Sequence, residues 1–121
     1  EVDQQLNEAR DALDQQQLLE ARRLVTEAEI LAPDSPEVAD VREQLNRRIS
    51  RQVEINLGRG NDLYTNGHYE QAKMTWEVTL ELDEENDTVR SHLERVDRVL
   101  ASLRDLQSRR VRPPPPPPAV F

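Results

Sequence analysis

Cysteine is absent from the 121-residue sequence, which removes disulfides, thiolate metal sites and cysteine nucleophiles and leaves the redox compartment open. Aromatic side chains are confined to Tyr64, Tyr69, Trp76 and Phe121, a supply that suits thin helical layers better than a deep globular core. Glycine is limited to Gly58, Gly60 and Gly67, all in one short stretch. The rest of the chain therefore lacks hairpin-turn chemistry, and the alternating period of strands is missing as well. No apolar run approaches the roughly 18 residues of a membrane span. Lysine occurs once, at Lys73, and this bias toward arginine points to a GC-rich, bacterial genome.

What is present is charge, at 33% of residues, with a formal net of -8. That balance argues against nucleic acid as a partner, because phosphate binding draws on clustered Lys and Arg. Arg109, Arg110 and Arg112 form the one basic cluster, too small and too close to a proline tract to reverse the reading. The length fits one domain with a modest core. Residues 1–110 read as a helical domain and residues 111–121 as a proline-rich tail. The helical pattern already runs at Glu1, so the chain reads as a mature or trimmed fragment whose targeting segment would precede it. A bacterial periplasmic or envelope location is expected, with the cytoplasm as the alternative.

Apolar residues at helical spacing divide the chain into five helices. Val2, Leu6, Ala9, Ala12 and Leu13 mark the first; Leu18, Ala21, Leu24, Val25, Ala28 and Leu31 mark the second. Pro33 stops it, and Asp34 or Ser35 can cap the next helix with Pro36 in its first turn. From Pro36 the stripe Val38, Val41, Leu45, Ile49, Val53, Leu57, Gly60, Tyr64 advances by three or four residues without a break, predicting one long helix over 36–66, with Gly58 as the point where it could kink. Asn66 and Gly67 supply a left-handed C-terminal cap. A helix over 69–82 follows, bearing Ala72, Trp76 and Leu80, then an acidic turn in which Asn86 can cap the last helix. That helix, running to about Ser108, carries Val89, Leu93, Val96, Leu100 and Leu103 at the seam spacing of a coiled coil.

Laid on itself with an offset of 51, the chain aligns Ala9 with Gly60, Leu13 with Tyr64, Leu18 with Tyr69, Ala21 with Ala72, Val25 with Trp76 and Leu31 with Leu82. Small residues meet small, and large meet large. The segment from Gly60 through Asn61, Tyr64, Gly67 and Tyr69 to Ala72, followed by Trp76 and Leu80 to Asp83, resembles a tetratricopeptide repeat. The first copy is the weaker match, with Gln16 where the turn glycine is expected. The resemblance implies paired helices in close contact at Gly60 and Ala72, with Tyr64, Tyr69 and Trp76 packed around them. It implies an all-α fold of TPR-like hairpins joined by the long central helix, acting as a protein-protein interaction scaffold that binds a protein partner or peptide. Ligand contacts would fall on polar residues of the inner helices, here Asn56, Arg59, Asn61 and Asn66; Asn61 alone matches a recurrent ligand-contacting position of the family.

The family unit is about 34 residues, so the offset leaves about half a unit over, residues 36–52, in the connecting helix. Hairpins held that far apart favour folding back around the long helix or pairing with a second chain, and a homodimer is expected, exchange of hairpins being one route to it. The alternative is a structural coiled coil or spacer segment of a larger protein.

Other chemistry is sparse. His68 and His92 have no carboxylate at metal-ligand spacing and read as surface residues. Asp83 to Asp87 lacks the glycine and terminal glutamate of an EF-hand loop. Trp76 reads as core. No nucleophile is paired with a base, so neither catalysis nor a cofactor is expected. In the tail, Arg110, Pro113 and Pro116 fit the basic-x-x-Pro-x-x-Pro pattern read by SH3 grooves. The same tract would serve equally as a polyproline II spacer, with Phe121 docked against a helix groove.

Overall fold

The structure, a computed structural model, describes residues 1–111 and 116–118. Among these there are five helices and no strand: α1 (Val2–Asp14), α2 (Leu18–Leu31), α3 (Pro36–Thr65), α4 (Tyr69–Leu82) and α5 (Asp87–Val111). The starts of α3 and α5 have a local cause. Ser35 Oγ accepts from Val38 N at 3.3 Å, and Pro36 occupies the first turn of α3, where its missing N–H costs nothing. Asn86 Oδ1 does the same for Val89 N at 3.1 Å. α3 runs unbroken past Gly58 and Gly60 through 30 residues, a length of about 45 Å. Short connections fold α1 back on α2 and α3 back on α4.

The helices repeat as a three-helix unit. α2 and α4 start and stop 51 residues apart, as do the end of α1 and the end of α3, and the start of α3 and the start of α5. The turns repeat bond for bond: Gln17 N donates to Ala12 O and His68 N to Leu63 O, both at 2.8 Å. Residues 36–52 are therefore no spacer. They are the third helix of the first unit, equivalent to the start of α5, while the C-terminal half of α3 is the first helix of the second unit. The two hairpins consequently pack on the same α3 within one chain, with no exchange of hairpins needed to cover them.

Each unit has its own core. The first gathers Leu6, Ala9, Leu13, Ala21, Leu24, Val25, Val38, Val41 and Leu45. The second gathers Ala72, Trp76, Val89, Val96 and Leu100, with Tyr64, Tyr69, Leu80 and Leu93 at its edge. Leu57 packs against both. The coiled-coil spacing of α5 is thus spent inside the chain as far as Leu100, and Leu103 is left exposed. Leu82 at the end of α4 crosses over and belongs to the first core. Arg22 ties the same crossing, donating to Leu82 O and Glu81 O, both at 3.0 Å, and so satisfies carbonyls that the end of α4 leaves unpaired. Leu31 departs from its expected place in the core. It is 55% exposed where Leu82 is 9% exposed, because Leu82 has the first core to pack into and Leu31 meets no such cluster among the described residues.

Two positions carry the strain of the repeat. Gln16 has φ 60, where its counterpart Gly67 has φ 82, and a side chain in this left-handed region costs about 1 kcal/mol. The second position is the contact of Trp76 with Gly60. A Cβ at Gly60 would stand 2.2 Å from Trp76 Nε1, whereas the first unit meets the same contact with Ala9 and Val25.

Chemical denaturation tests both. Gln16→Gly is expected to raise stability by about 0.5–1 kcal/mol, and Gly67→Ala to lower it by a similar amount. Gly60→Ala is expected to cost about 1–3 kcal/mol. Adding Trp76→Val should cost less in that background than in the native one, giving a coupling of about 1–2 kcal/mol. Additive losses would show that the indole is not held against the Gly60 backbone.

Candidate functional site

The polar residues expected on the inner helices do not gather at one place. Asn56 and Arg59 lie one turn apart on α3 and face a groove of about 590 Å³. The α1–α2 turn supplies Gln16 and Gln17 and the start of α2 supplies Leu18, Leu19 and Glu20; α3 supplies Gln52, Asn56 and Arg59; the outer end of α4 supplies Val78 and Leu82. Asn61 is exposed and does not line it. Asn66 is also exposed and closes α3 instead, donating from Nδ2 to Asp62 O at 2.9 Å. Arg110 and Pro116 are exposed, far along the chain from the groove. Pro113 and Phe121 lie outside the described residues, and the expected docking of the tail lies there with them.

The groove has apolar walls and an amide floor. Leu18 and Leu82 are buried at its base, and Leu19 and Val78 stand exposed on its two sides. Between them Asn56 is only 6% exposed, and its Oδ1 accepts from Gln52 Nε2 at 2.8 Å. That bond fixes the amide and leaves its N–H₂ as a donor toward the groove. Buried amides among aliphatic walls are the elements that orient a bound chain while the walls take its side chains. A second cleft of about 440 Å³ adjoins through Gln16 and Gln52 and is lined by Arg48, Arg51 and Ile55. Across the two clefts Arg48, Arg51 and Arg59 face a single acid, Glu20, in a chain whose net charge is -8.

Of the residues named from the sequence, Asn56 and Arg59 line this groove; Leu19, Gln52 and Val78 line it too and were not named. Leu19 and Val78 had one visible signal: both are large apolar residues set off the buried stripe of their helices. Gln52 had none, since a polar residue on a long charged helix looks like any solvated one.

His92 departs from its expected surface position. It is half-buried, its ring 4.8 Å from that of Trp76, with Arg95 Nη2 3.3 Å from Nδ1. Burial, and then the Arg95 charge, hold its pKa below the usual histidine value. Trp76 itself is fully buried, as expected, and its Nε1 has no hydrogen-bond partner among the described residues. His68 is exposed at the start of α4.

Among the described residues no three His, Asp or Glu side chains converge as a metal site, and no helix is long and apolar enough to cross a membrane. No known protein family, curated protein or solved structure matches the chain.

His92 makes stability depend on pH in a defined window. Its folded pKa is below the unfolded value of 6.5, so the unfolded chain takes up the proton first, and stability falls as pH drops below about 6.5. Thermal unfolding of wild type and His92→Gln between about pH 7.5 and 5.5 should give a falling midpoint for the first and a flatter profile for the second. Parallel profiles would place the sensitivity elsewhere.

Proposed function

We infer that this chain is a protein-protein interaction scaffold of tetratricopeptide type, whose groove between α2, α3 and α4 holds a peptide segment of a partner. The observation that carries the reading is Asn56, a buried amide at the floor of an otherwise aliphatic groove. Burying an amide costs free energy unless it is hydrogen-bonded, and a peptide backbone supplies the acceptor. Leu18, Leu19, Val78 and Leu82 take an apolar side chain on either side of it. The arginines toward Arg48 favour a ligand whose flank is acidic or neutral over a basic one.

The repeat supports the family reading. Gly60 and Ala72 sit where paired helices must approach closely, and Gln16 and Gly67 make the same left-handed turn between the helices of each hairpin. The spacer reading is less favoured, since Val89, Val96 and Leu100 are buried within the chain and no longer free to form a seam with another.

Selection of binders from a random peptide library on the intact chain tests the reading. Selected peptides are expected to carry an apolar residue and to bind Leu19→Glu and Val78→Glu at least about tenfold more weakly, a loss of roughly 1.4 kcal/mol. Asn61→Ala, away from the groove, should bind as wild type does. Equal affinity across all four proteins would remove the groove as the site.

A further inference from the structure

The turn between α1 and α2 keeps a side chain where its backbone favours none. Gln16 has φ 60 and its counterpart Gly67 has φ 82, and glutamine lacks the short side chain that lets asparagine or aspartate settle in the left-handed region by bonding locally. Strain of this kind concentrates at ligand sites, where the strained residue has a use. Gln16 stands at such a place. It lines both the groove of about 590 Å³ between α2, α3 and α4 and the adjoining cleft of about 440 Å³. Among the described residues only Gln52 shares that position.

Amides continue along the floor of both clefts. Gln52 Nε2 donates to Asn56 Oδ1 at 2.8 Å, which leaves Gln52 Oε1 as an acceptor and Asn56 Nδ2 as a donor. An acceptor and a donor one helical turn apart suit the N–H and C=O of an extended main chain. Beyond them the second cleft carries Arg48 and Arg51. Arg48 Nη1 donates to Leu13 O at 3.0 Å. Arg51 is exposed and unpaired, since among the described residues the ion pairs engage Arg23, Arg42, Lys73, Arg90 and Arg109. It also borders a separate cleft with Glu43 and Glu54 and is paired with neither. Glu20, the acid of the groove, is held by Arg23 through both carboxylate oxygens. The second cleft therefore offers one unpaired guanidinium and has no carboxylate in its lining.

We propose that the peptide segment in the groove continues into the second cleft, placing an apolar residue between Leu19 and Val78 and an acidic side chain on Arg51, with Gln16 bonded to the main chain between them. The proposal rests on the groove being the binding site, and it adds a charge requirement and a residue that reads it. From Asn56 to Arg51 the distance along α3 is about 7.5 Å, which an extended chain covers in about two or three residues. The acid is accordingly expected at that spacing from the apolar residue. A carboxylate, with its single charge, matches one free guanidinium. A phosphorylated side chain carries nearly twice the charge and would call on Arg48 as well, which is bound to Leu13 O. Gln16 then sets stability against binding: glycine would relax the turn and take the amide away from the ligand.

Peptides selected from a random library on the intact chain, resynthesised with the acid as glutamate, glutamine or phosphoserine, test this by titration against wild type, Arg51→Gln, Gln16→Gly and Leu19→Glu. Changing the acid to glutamine should weaken binding to wild type about tenfold or more. The same change should cost less than about twofold on Arg51→Gln, because the two groups are coupled. Phosphoserine should bind no tighter than glutamate. Gln16→Gly should melt at a higher temperature than wild type and still bind the glutamate peptide about threefold to tenfold more weakly. Peptides that lose affinity on Leu19→Glu yet ignore both the acid and Arg51→Gln overturn the proposal and leave the groove reading standing. A preference for phosphoserine overturns the carboxylate, and wild-type affinity in Gln16→Gly overturns the role of Gln16. A library that yields no binder, or binders indifferent to Leu19→Glu, removes the groove and the proposal together.

Discussion

α3 has to be two helices at once, and the remaining structure follows from how it manages this. Its first half closes the first unit through Val38, Val41 and Leu45, which Val53 joins; its second half opens the next through Leu57 and Gly60. At 100° per residue the buried face of the second half is turned by roughly a fifth of a revolution from that of the first. One unbroken helix can therefore cover two hairpins only if they attach at different angles around it. That angle opens the groove between α2 and α4, and it lets Leu82 reach back into the first core. A break at Gly58 would uncouple the two halves. The helix tolerates glycine there because both of its ends are held by tertiary packing, which outweighs a propensity cost of about 1 kcal/mol.

Charge organises the outside of this frame rather than its core. Arg42 Nε donates to Glu29 Oε2 at 3.0 Å and links α2 to α3; the Arg42 hydrogen bond is also the main reason that the Glu29 carboxyl titrates below its usual value. Arg23 lies between Glu20 and Glu27 on the surface of α2. Exposed pairs of this type contribute little to stability. Their effect is to engage the acids of α2 while Arg48, Arg51 and Arg59 remain along the clefts. Arg48 is partly committed as well, donating from Nη1 to Leu13 O at 3.0 Å, which satisfies a carbonyl at the end of α1. An acidic protein thus keeps a groove with basic character.

The helices were legible because their ends are written in local chemistry. Pro33, Ser35, Pro36, Asn66, Gly67 and Asn86 act within a turn of where they stand, and the structure places the end of α2, both ends of α3 and the starts of α4 and α5 beside them. The meaning of the offset was harder to read. Residues 36–52 look like surplus when the unit is taken as one hairpin, and only α5, with the same start and the same cap, identifies them as a third helix. Leu31 and His92 were misplaced for a common reason: burial depends on what lies across the gap. Leu31 has the helical phase of a core residue and lacks a neighbour, while His92 has a polar identity and gains Trp76 as one. The groove was only half legible, since it draws on three helices and needs their relative positions, whereas a list of inner-helix polar residues cannot separate Asn56 from Asn61.

The two units solve one packing problem in two ways, and the difference bears on what each can do. In the first, Ala9 and Val25 share the close contact between the hairpin helices. In the second, Gly60 surrenders its side chain so that Trp76 can lie flat against the backbone, with Tyr64 5.9 Å and His92 4.8 Å away between ring centroids. Tyr64 is flanked in turn by Tyr69 at 5.2 Å and by the Arg95 guanidinium at 4.8 Å. Nearly all the aromatic area of the chain is thereby concentrated in one unit, which gains a rigid centre and keeps Gly67 at its turn. The first unit has neither. It holds its left-handed turn with Gln16 and its core with aliphatic side chains alone, yet it supplies Gln16 to Glu20, half the lining of the groove. Across the groove the aromatic unit thus supplies Val78 and Leu82, and the aliphatic unit supplies the left-handed turn and the start of α2.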